Sequence, residues 1–523
     1  MARSKKLEYY DGILKGKYLS DSDCERLLKL KKLSEDNGCV EDLKHIIYNC
    51  SDSEVEEIKA SKSASYIDKK LGKLRDYQTL GVAYMYFAKR LVLGDSVGLG
   101  KTVEVCGLIN LLKEEYLKKG QEFRFLFLTD KTLLDQTRDE IIKFTGDYVT
   151  LLQGEKRYVD KFVIENDNDL QYSVVGSHSL INSVGFQEYI RVYRELYDCN
   201  PFDILFVDES SILGNTSTKT YDNALHLAKD IDRVIIMNAT PFESNLRTFY
   251  AQLNFCDESL LPVKSTFERL YEQKTYYGSF PRFNGKYKNQ AIFKEQVKFR
   301  YWASTRKGLG YSMIDCSAKL YVSPLSKMQK ELLKRTSIPQ MVYDCPSYFD
   351  DSIIVNKQTV PKLNDLIAIL TTDLKDVDSV IVYTWHKESQ SIIEEVLVTE
   401  GIPCEIMNGD TPLEERNAIT RAFKLGDFKV LITNVQKGLN FSNCDNCIFY
   451  SYDPNPNKMV QLEGRMTREE NIIGKHVYLL VSEGKEYKRF KEGVADRAKA
   501  SDIFAGSDFS CVLNLLLNVE EVS

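Results

Sequence analysis

Three groups of residues have the types and spacing to do chemistry on a phosphate ester. The first is Gly98-Leu99-Gly100-Lys101-Thr102, which closes the run Leu91-Val-Leu-Gly-Asp95 and precedes a second apolar stretch. Successive backbone N–H groups in such a turn can wrap an anion, and a helix starting there adds partial positive charge. Lys101 is then placed to reach the β- and γ-phosphates, and the Thr102 hydroxyl to ligate Mg2+. Gly98 and Gly100 permit an approach that a side chain would block. The strict G-x-x-x-x-G-K-[ST] pattern fails at its first position, which is Asp95.

The second group ends the run Asp203-Ile-Leu-Phe-Val-Asp208-Glu209-Ser210-Ser211. Carboxylates at the C-terminal edge of a parallel sheet stand where ligands bind in α/β folds. Asp208 suits Mg2+ held through its water shell, and Glu209 suits orienting and deprotonating an attacking water. The third group is Gln461-Leu-Glu-Gly464-Arg465-Met-Thr-Arg468. Arg465 and Arg468, at i and i+3, leave one side of a helix, and guanidinium groups stabilise charge on a transferring phosphoryl. Taken singly, these groups also read as a glycine turn, a solvated strand end and a solvated helix face.

Positioning them requires strands. Short apolar runs bounded by polar residues occur at Leu91–Leu93, Phe123–Leu128, Tyr172–Val175, Ile204–Val207 and Val234–Met237. A second series follows at Val380–Tyr383, Cys404–Met407, Val430–Thr433, Cys447–Tyr450 and Val477–Val481. Both alternate with helical patterns, which reads as an α/β chain with two parallel sheets in tandem. The reading divides the chain into an N-terminal extension (1–70), a first lobe (71–256), an interlobe insertion (257–355), a second lobe (356–488) and a tail (489–523). The extension carries a predicted helix around Cys24–Leu33, and the apolar run Cys511–Val519 is expected to pack back onto a lobe. The insertion is aromatic and basic and is expected to be helices and loops.

The 523 residues allow about three domains. Lys+Arg 70 against Asp+Glu 76, a net charge of −6, excludes coating a nucleic acid by charge alone but not a local basic groove. No run reaches the roughly 18 apolar residues of a membrane span. The N-terminus lacks the apolar core of a secretory signal, so a cytoplasmic protein with reduced cysteines is expected. The pair Cys444-x-x-Cys447 stands alone among twelve scattered cysteines and five histidines, which makes zinc a poor fit.

In order, these motifs resemble superfamily 2 helicases, and among them the Swi/Snf-type DNA-dependent ATPases, especially compact bacterial or bacteriophage members. Leu74-Arg75-Asp-Tyr77-Gln78 resembles the family's adenine-side segment, and Asp95-x-x-Gly98-Leu99-Gly100-Lys101-Thr102 its form of the phosphate loop. Phe127–Gln136 and Ser177-His178-Ser179 resemble its DNA-backbone loops. Asn238-Ala239-Thr240-Pro241 resembles the motif that couples hydrolysis to lobe movement. Thr433-Asn-Val-Gln-Lys437-Gly438-Leu-Asn-Phe441 and the Gln461–Arg468 segment resemble later motifs.

The resemblance covers about residues 71–485 and implies two RecA-like lobes with ATP between them. It implies nucleotide contacts from Gln78, Gly98, Leu99, Gly100, Lys101, Thr102 and Gln461, with Mg2+ on Thr102 and Asp208. Catalysis then falls to Lys101, Asp208, Glu209, Arg465 and Arg468, the arginines reaching the γ-phosphate from the far lobe. Lys131, Thr132, Ser177, Thr433 and Lys437 are the implied nucleic-acid contacts, and Thr240 and Gly438 the coupling residues.

The insertion adds Arg282, Lys286, Lys288 and Arg300, interleaved with Tyr276, Phe283 and Trp302; these suit stacking and backbone tracking, or alternatively the packing of a domain. The implied function is an ATP-dependent motor that translocates on duplex or branched DNA. A strand-separating or branch-migrating repair helicase is one alternative; a degenerate ATPase acting as a DNA-binding scaffold is another. The chain departs from the family pattern in three places. Ser210-Ser211 replaces Ala-His, Asn238-Ala239 replaces Thr-Gly, and Glu104 stands where Gln is common.

Overall fold

The computed structural model describes residues 18–35, 74–96, 98–166, 172–239, 246–277, 280–305, 309, 316–434, 444–451, 475–492 and 521–522. The chain divides into two compact units near Leu309.

In the first unit, strands β1 (Arg90–Leu93), β2 (Phe125–Thr129), β3 (Val149–Leu152), β4 (Ser173–Ser177), β5 (Ile204–Val207) and β6 (Arg233–Met237) join one sheet. An antiparallel hairpin, β7 (Glu272–Tyr277) and β8 (Phe280–Tyr287), stands apart from it. Strand β9 (Tyr301–Trp302) completes the sheet in the order β3-β4-β2-β5-β6-β1-β9, every pair parallel. Parallel pairing forces helical crossovers and covers both faces, so the central strands are buried throughout. The period of two is explicit. Val92, Leu126, Leu205 and Val234 enter one core, while Leu91, Phe125, Phe206 and Ile235 enter the other.

Helix α1 (Asp21–Glu35) buries Leu27 and Leu30 in this second core, beside α2 (Asp76–Ala88). Helix α3 (Lys101–Lys118) follows the glycine turn, and α4 (Leu246–Cys256) follows the region after β6. Opposite the C-terminal sheet edge, the Arg300 guanidinium donates to Asp257 Oδ2 at 3.0 Å and to the Ala88 carbonyl at 2.9 Å. Both charged groups are buried, so each depends on the other for solvation.

In the second unit, β10 (Cys316–Ser323), β11 (Val380–Tyr383), β12 (Cys404–Met407), β13 (Val430–Thr433), β14 (Asn446–Phe449), β15 (Lys475–Ser482) and β16 (Glu521–Val522) form a sheet. Its order is β12-β13-β11-β14-β15-β10-β16, again parallel in every pair. Helix α5 (Lys362–Thr371) lays Leu363, Leu366 and Leu370 on Val380, Val382 and Ile448. The Lys362 ammonium is itself buried, 2.9 Å from Asp344 and 2.9 Å from Glu486.

The two tandem parallel sheets match the α/β reading. The aromatic–basic stretch departs from the expected helices and loops, since it contains β7, β8, β9 and β10. A two-residue strand is too short to show a period, and β10 mixes polar with apolar residues. Arg300 and Trp302 from that stretch are buried in the first unit, so they pack a core. Cys444 and Cys447 are buried, and no metal-holding cluster occurs among the described residues. Among those residues no helix is long and apolar enough to cross a membrane. Arg465, Arg468, Gln461, Lys437, Gly438, Thr240 and the run Cys511–Val519 lie outside the described residues.

Candidate functional site

The glycine turn sits where β1 ends and α3 begins. Strand β1 is fully buried and pairs with β6 and β9, so its C-terminal end delivers the turn to the ligand edge of the sheet. Gly98 (φ 83°) and Gly100 (φ 84°) are both left-handed, a conformation that costs other residues about 1–2 kcal/mol. Gly100 also caps α3, leaving the first helical N–H groups directed at the turn. The Lys101 ammonium donates to the Asp95 carbonyl at 2.8 Å.

Helix α2 braces the turn from behind. Tyr77 Oη and Gln78 Nε2 both donate to the Leu99 carbonyl, at 2.7 and 2.9 Å. Gln78 Oε1 accepts from the Arg75 N–H at 3.1 Å. A Cβ on Gly100 would lie 2.8 Å from Gln78 Nε2, so the glycine also permits this close approach. Gln78 thus braces the glycine turn.

Under the turn lies a buried acid pair. Asp95 and Glu104 are each fully buried and face one another. Asp95 Oδ1 accepts from the Ser304 N–H at 2.6 Å, while neither Glu104 oxygen has a donor. Burial, reinforced by the Asp95 charge, pushes the Glu104 carboxyl well above the carboxylate range. Asp95 is also raised, chiefly by burial. With both carboxyls raised by burial, the pair disfavours ionising together. Gly81 on α2 makes the space, since a Cβ there would meet Glu104 Oε2 at 2.4 Å.

The acidic segment emerges from β5 on the same C-terminal edge. Asp208 N–H bonds the Leu128 carbonyl at 2.8 Å, and Thr129 Oγ1 lies 3.5 Å from Asp208 Oδ2. Glu209 has φ 47° and ψ 52°, a left-handed backbone that a non-glycine residue adopts only under constraint. Ser210 is buried and donates to Gln252 Oε1 of α4 at 2.9 Å. Asn238 Nδ2 approaches the same oxygen at 3.4 Å. The Ser211 hydroxyl donates to the Glu209 carbonyl at 3.4 Å. Gln252 was not singled out from sequence; its signal is one buried amide within the apolar helix LRTFYAQLNFC.

The sheet edge therefore brings together Gly98, Leu99, Gly100, Lys101, Thr102, Asp208 and Glu209. Thr102 and Asp208 offer hard oxygen donors, few in number, as suits a Mg2+ ion that keeps much of its water. Of the nucleic-acid candidates, Lys131 and Thr132 are exposed on the turn after β2, where Lys131 pairs with Glu155 at 2.8 Å. Ser177 and Thr433 are buried at the ends of β4 and β13, where the Ser177 hydroxyl lies 2.6 Å from that of Ser179.

Residues 77–376 match the SNF2-related domain and residues 361–470 the helicase conserved C-terminal domain. The chain is 21% identical over 490 residues to the DNA repair and recombination protein RAD54B of Mus musculus, covering 79% of this chain and 54% of that protein. It is 23% identical to the uncharacterized ATP-dependent helicase YqhH of Bacillus subtilis, covering 74% of this chain and 71% of the relative. Among solved structures, the Sulfolobus solfataricus SWI2/SNF2 ATPase core in complex with dsDNA aligns at 18% identity and a TM-score of 0.39, over 85% of this chain and 95% of that one. The chain spans about half the length of the RAD54B relatives it matches.

Proposed function

The chain belongs to the SNF2-related family of superfamily 2 helicases, and on that premise we propose that it hydrolyses ATP with Mg2+ to move along duplex DNA. The observation that carries this reading is one sheet edge bearing both the doubly left-handed glycine turn and the Asp208-Glu209 pair. In this reading the turn's N–H groups and Lys101 hold the phosphates. Thr102 and Asp208 hold Mg2+, which offsets phosphate charge when bound. Glu209 orients and deprotonates the attacking water. Arg465 and Arg468 add guanidinium charge to the transferring phosphoryl, with Gln461 nearby in sequence. Residues 71–256 and 356–488 act as the two lobes, and Thr240 and Gly438 lie in the segments that transmit lobe movement.

DNA is tracked by backbone amides, hydroxyls and scattered cations, including Lys131, Thr132 and Lys437, which need no basic total. Binding should weaken as salt rises, as for any phosphate-neutralising contact. A cytosolic location accords with this substrate. Phosphate release measured against duplex, single-stranded, forked and four-way DNA and RNA tests the proposal. Stimulation by duplex, with triplex displacement and no strand separation, supports translocation; strand separation or branch migration favours the repair-helicase reading. Lack of stimulation by every nucleic acid would overturn the motor.

A further inference from the structure

The acidic segment carries serines where its family commonly has an imidazole, yet an imidazole reaches it from elsewhere. His178 opens the 3-10 turn His178–Asn182 just after β4, and its Nε2 lies 2.8 Å from the Asp208 carbonyl oxygen. A carbonyl only accepts, so Nε2 carries the proton and donates. Strands β4 and β5 are separated by β2, so the side chain spans the end of β2 to make this bond.

The group it holds matters. The Asp208 carbonyl belongs to the peptide joining Asp208 to Glu209, and Glu209 is left-handed. Such a conformation persists only where surrounding contacts impose it. His178 grips the segment on one side, and Ser210 grips it on the other through Gln252. At its other end, His178 sits between two serines whose hydroxyls are 2.6 Å apart. Ser179 is exposed and accepts from the Gly154 N–H at 3.0 Å. The turn after β4 is thus continuous from solvent to the backbone of the water-directing carboxylate.

We propose that His178 is a positioning residue that couples the turn after β4 to the Glu209 peptide. Nucleic acid on that turn then acts on hydrolysis through this one hydrogen bond, an extension that rests on the motor reading above. The bond itself sets the Glu209 geometry whether or not nucleic acid is present.

The test uses the full chain with His178→Phe and His178→Gln, the glutamine keeping an N–H donor near the Nε2 position. ATP hydrolysis is measured with and without duplex DNA, alongside thermal melting. The expected result for His178→Phe is a kcat lowered roughly tenfold at little-changed KM for ATP, with further loss of the DNA stimulation ratio. His178→Gln should recover most of the basal kcat, and both variants should melt close to wild type. An unchanged kcat in His178→Phe, or equal loss in both variants, would overturn the proposal. Wild-type protein that hydrolyses ATP without any stimulation by nucleic acid would instead overturn the motor reading, while the basal kcat comparison still decides the role of His178.

Discussion

Ser210 Oγ donates to Gln252 Oε1 at 2.9 Å, with both side chains buried, and the same oxygen lies 3.4 Å from Asn238 Nδ2. One amide oxygen therefore ties the segment after β5 to the segment after β6, where the family places its coupling motif. Replacing Gln252 by Leu removes the acceptor of the buried Ser210 hydroxyl, which costs about 1–3 kcal/mol for such a group. The expected outcome is a lower denaturation midpoint by that amount, with kcat reduced more than KM for ATP is changed. Gln252→Glu keeps an acceptor and should recover part of the kcat. Equal activity in wild type and Gln252→Leu would show that the link carries no coupling.

The Asp95–Glu104 pair makes stability depend on pH. Glu104 is raised well above its ordinary value of 4.5, first by burial and then by Asp95, so the folded chain keeps a proton that the unfolded chain releases. Stability is therefore fullest below pH 4.5 for this group and declines as pH rises from there toward its elevated folded value. Glu104→Gln supplies an amide donor to Asp95 without needing that proton. It should raise stability near pH 8 by about 1–2 kcal/mol and flatten the alkaline fall, as read by urea denaturation across pH. A steeper fall in the variant would contradict a proton retained on Glu104 in the folded chain.

Lys362 lies between two buried carboxylates, Asp344 and Glu486. Burial alone would lower its pKa, but Asp344 and Glu486 reverse that and hold it above the ordinary lysine value. Lys362→Met leaves two buried acids facing one another, and losing one partner of a buried pair costs about 3–5 kcal/mol. Lys362→Arg should lose less. Loss of the second unit's unfolding transition at lower denaturant, with the first unit's unchanged, is the expected signature.

Glu209→Gln and Lys101→Ala separate chemistry from binding. Removing a general base typically costs about 10^2–10^4 in rate, so Glu209→Gln should lower kcat by that range and leave nucleotide binding within a few-fold. Lys101→Ala should weaken nucleotide binding as well. DNA-stimulated phosphate release that survives Glu209→Gln would remove Glu209 from the mechanism.

Much of the fold was legible because central parallel strands are buried on both faces and so appear as uninterrupted apolar runs. Ile204–Val207, Val380–Tyr383 and Val430–Thr433 match their strands residue for residue. Strand β3 was missed because an edge strand is only half covered, and Val149–Leu151 are partly exposed. The single helix expected around Cys24–Leu33 is present as Asp21–Glu35, but its docking beside α2 depends on contacts its own pattern does not encode.

Residue types and their order along the chain were sufficient to name the glycine turn, the acidic pair and the α/β architecture. Each depends on local backbone freedom or on burial of a continuous run. Pairings between distant residues were decided only by the crossovers that bring strand ends together. His178 meets the Asp208 carbonyl and Gln252 meets Ser210 because parallel strands place their C-terminal ends on one edge. Hydrogen bonds at that edge act over about 3 Å, and no spacing along a sequence specifies a distance that short.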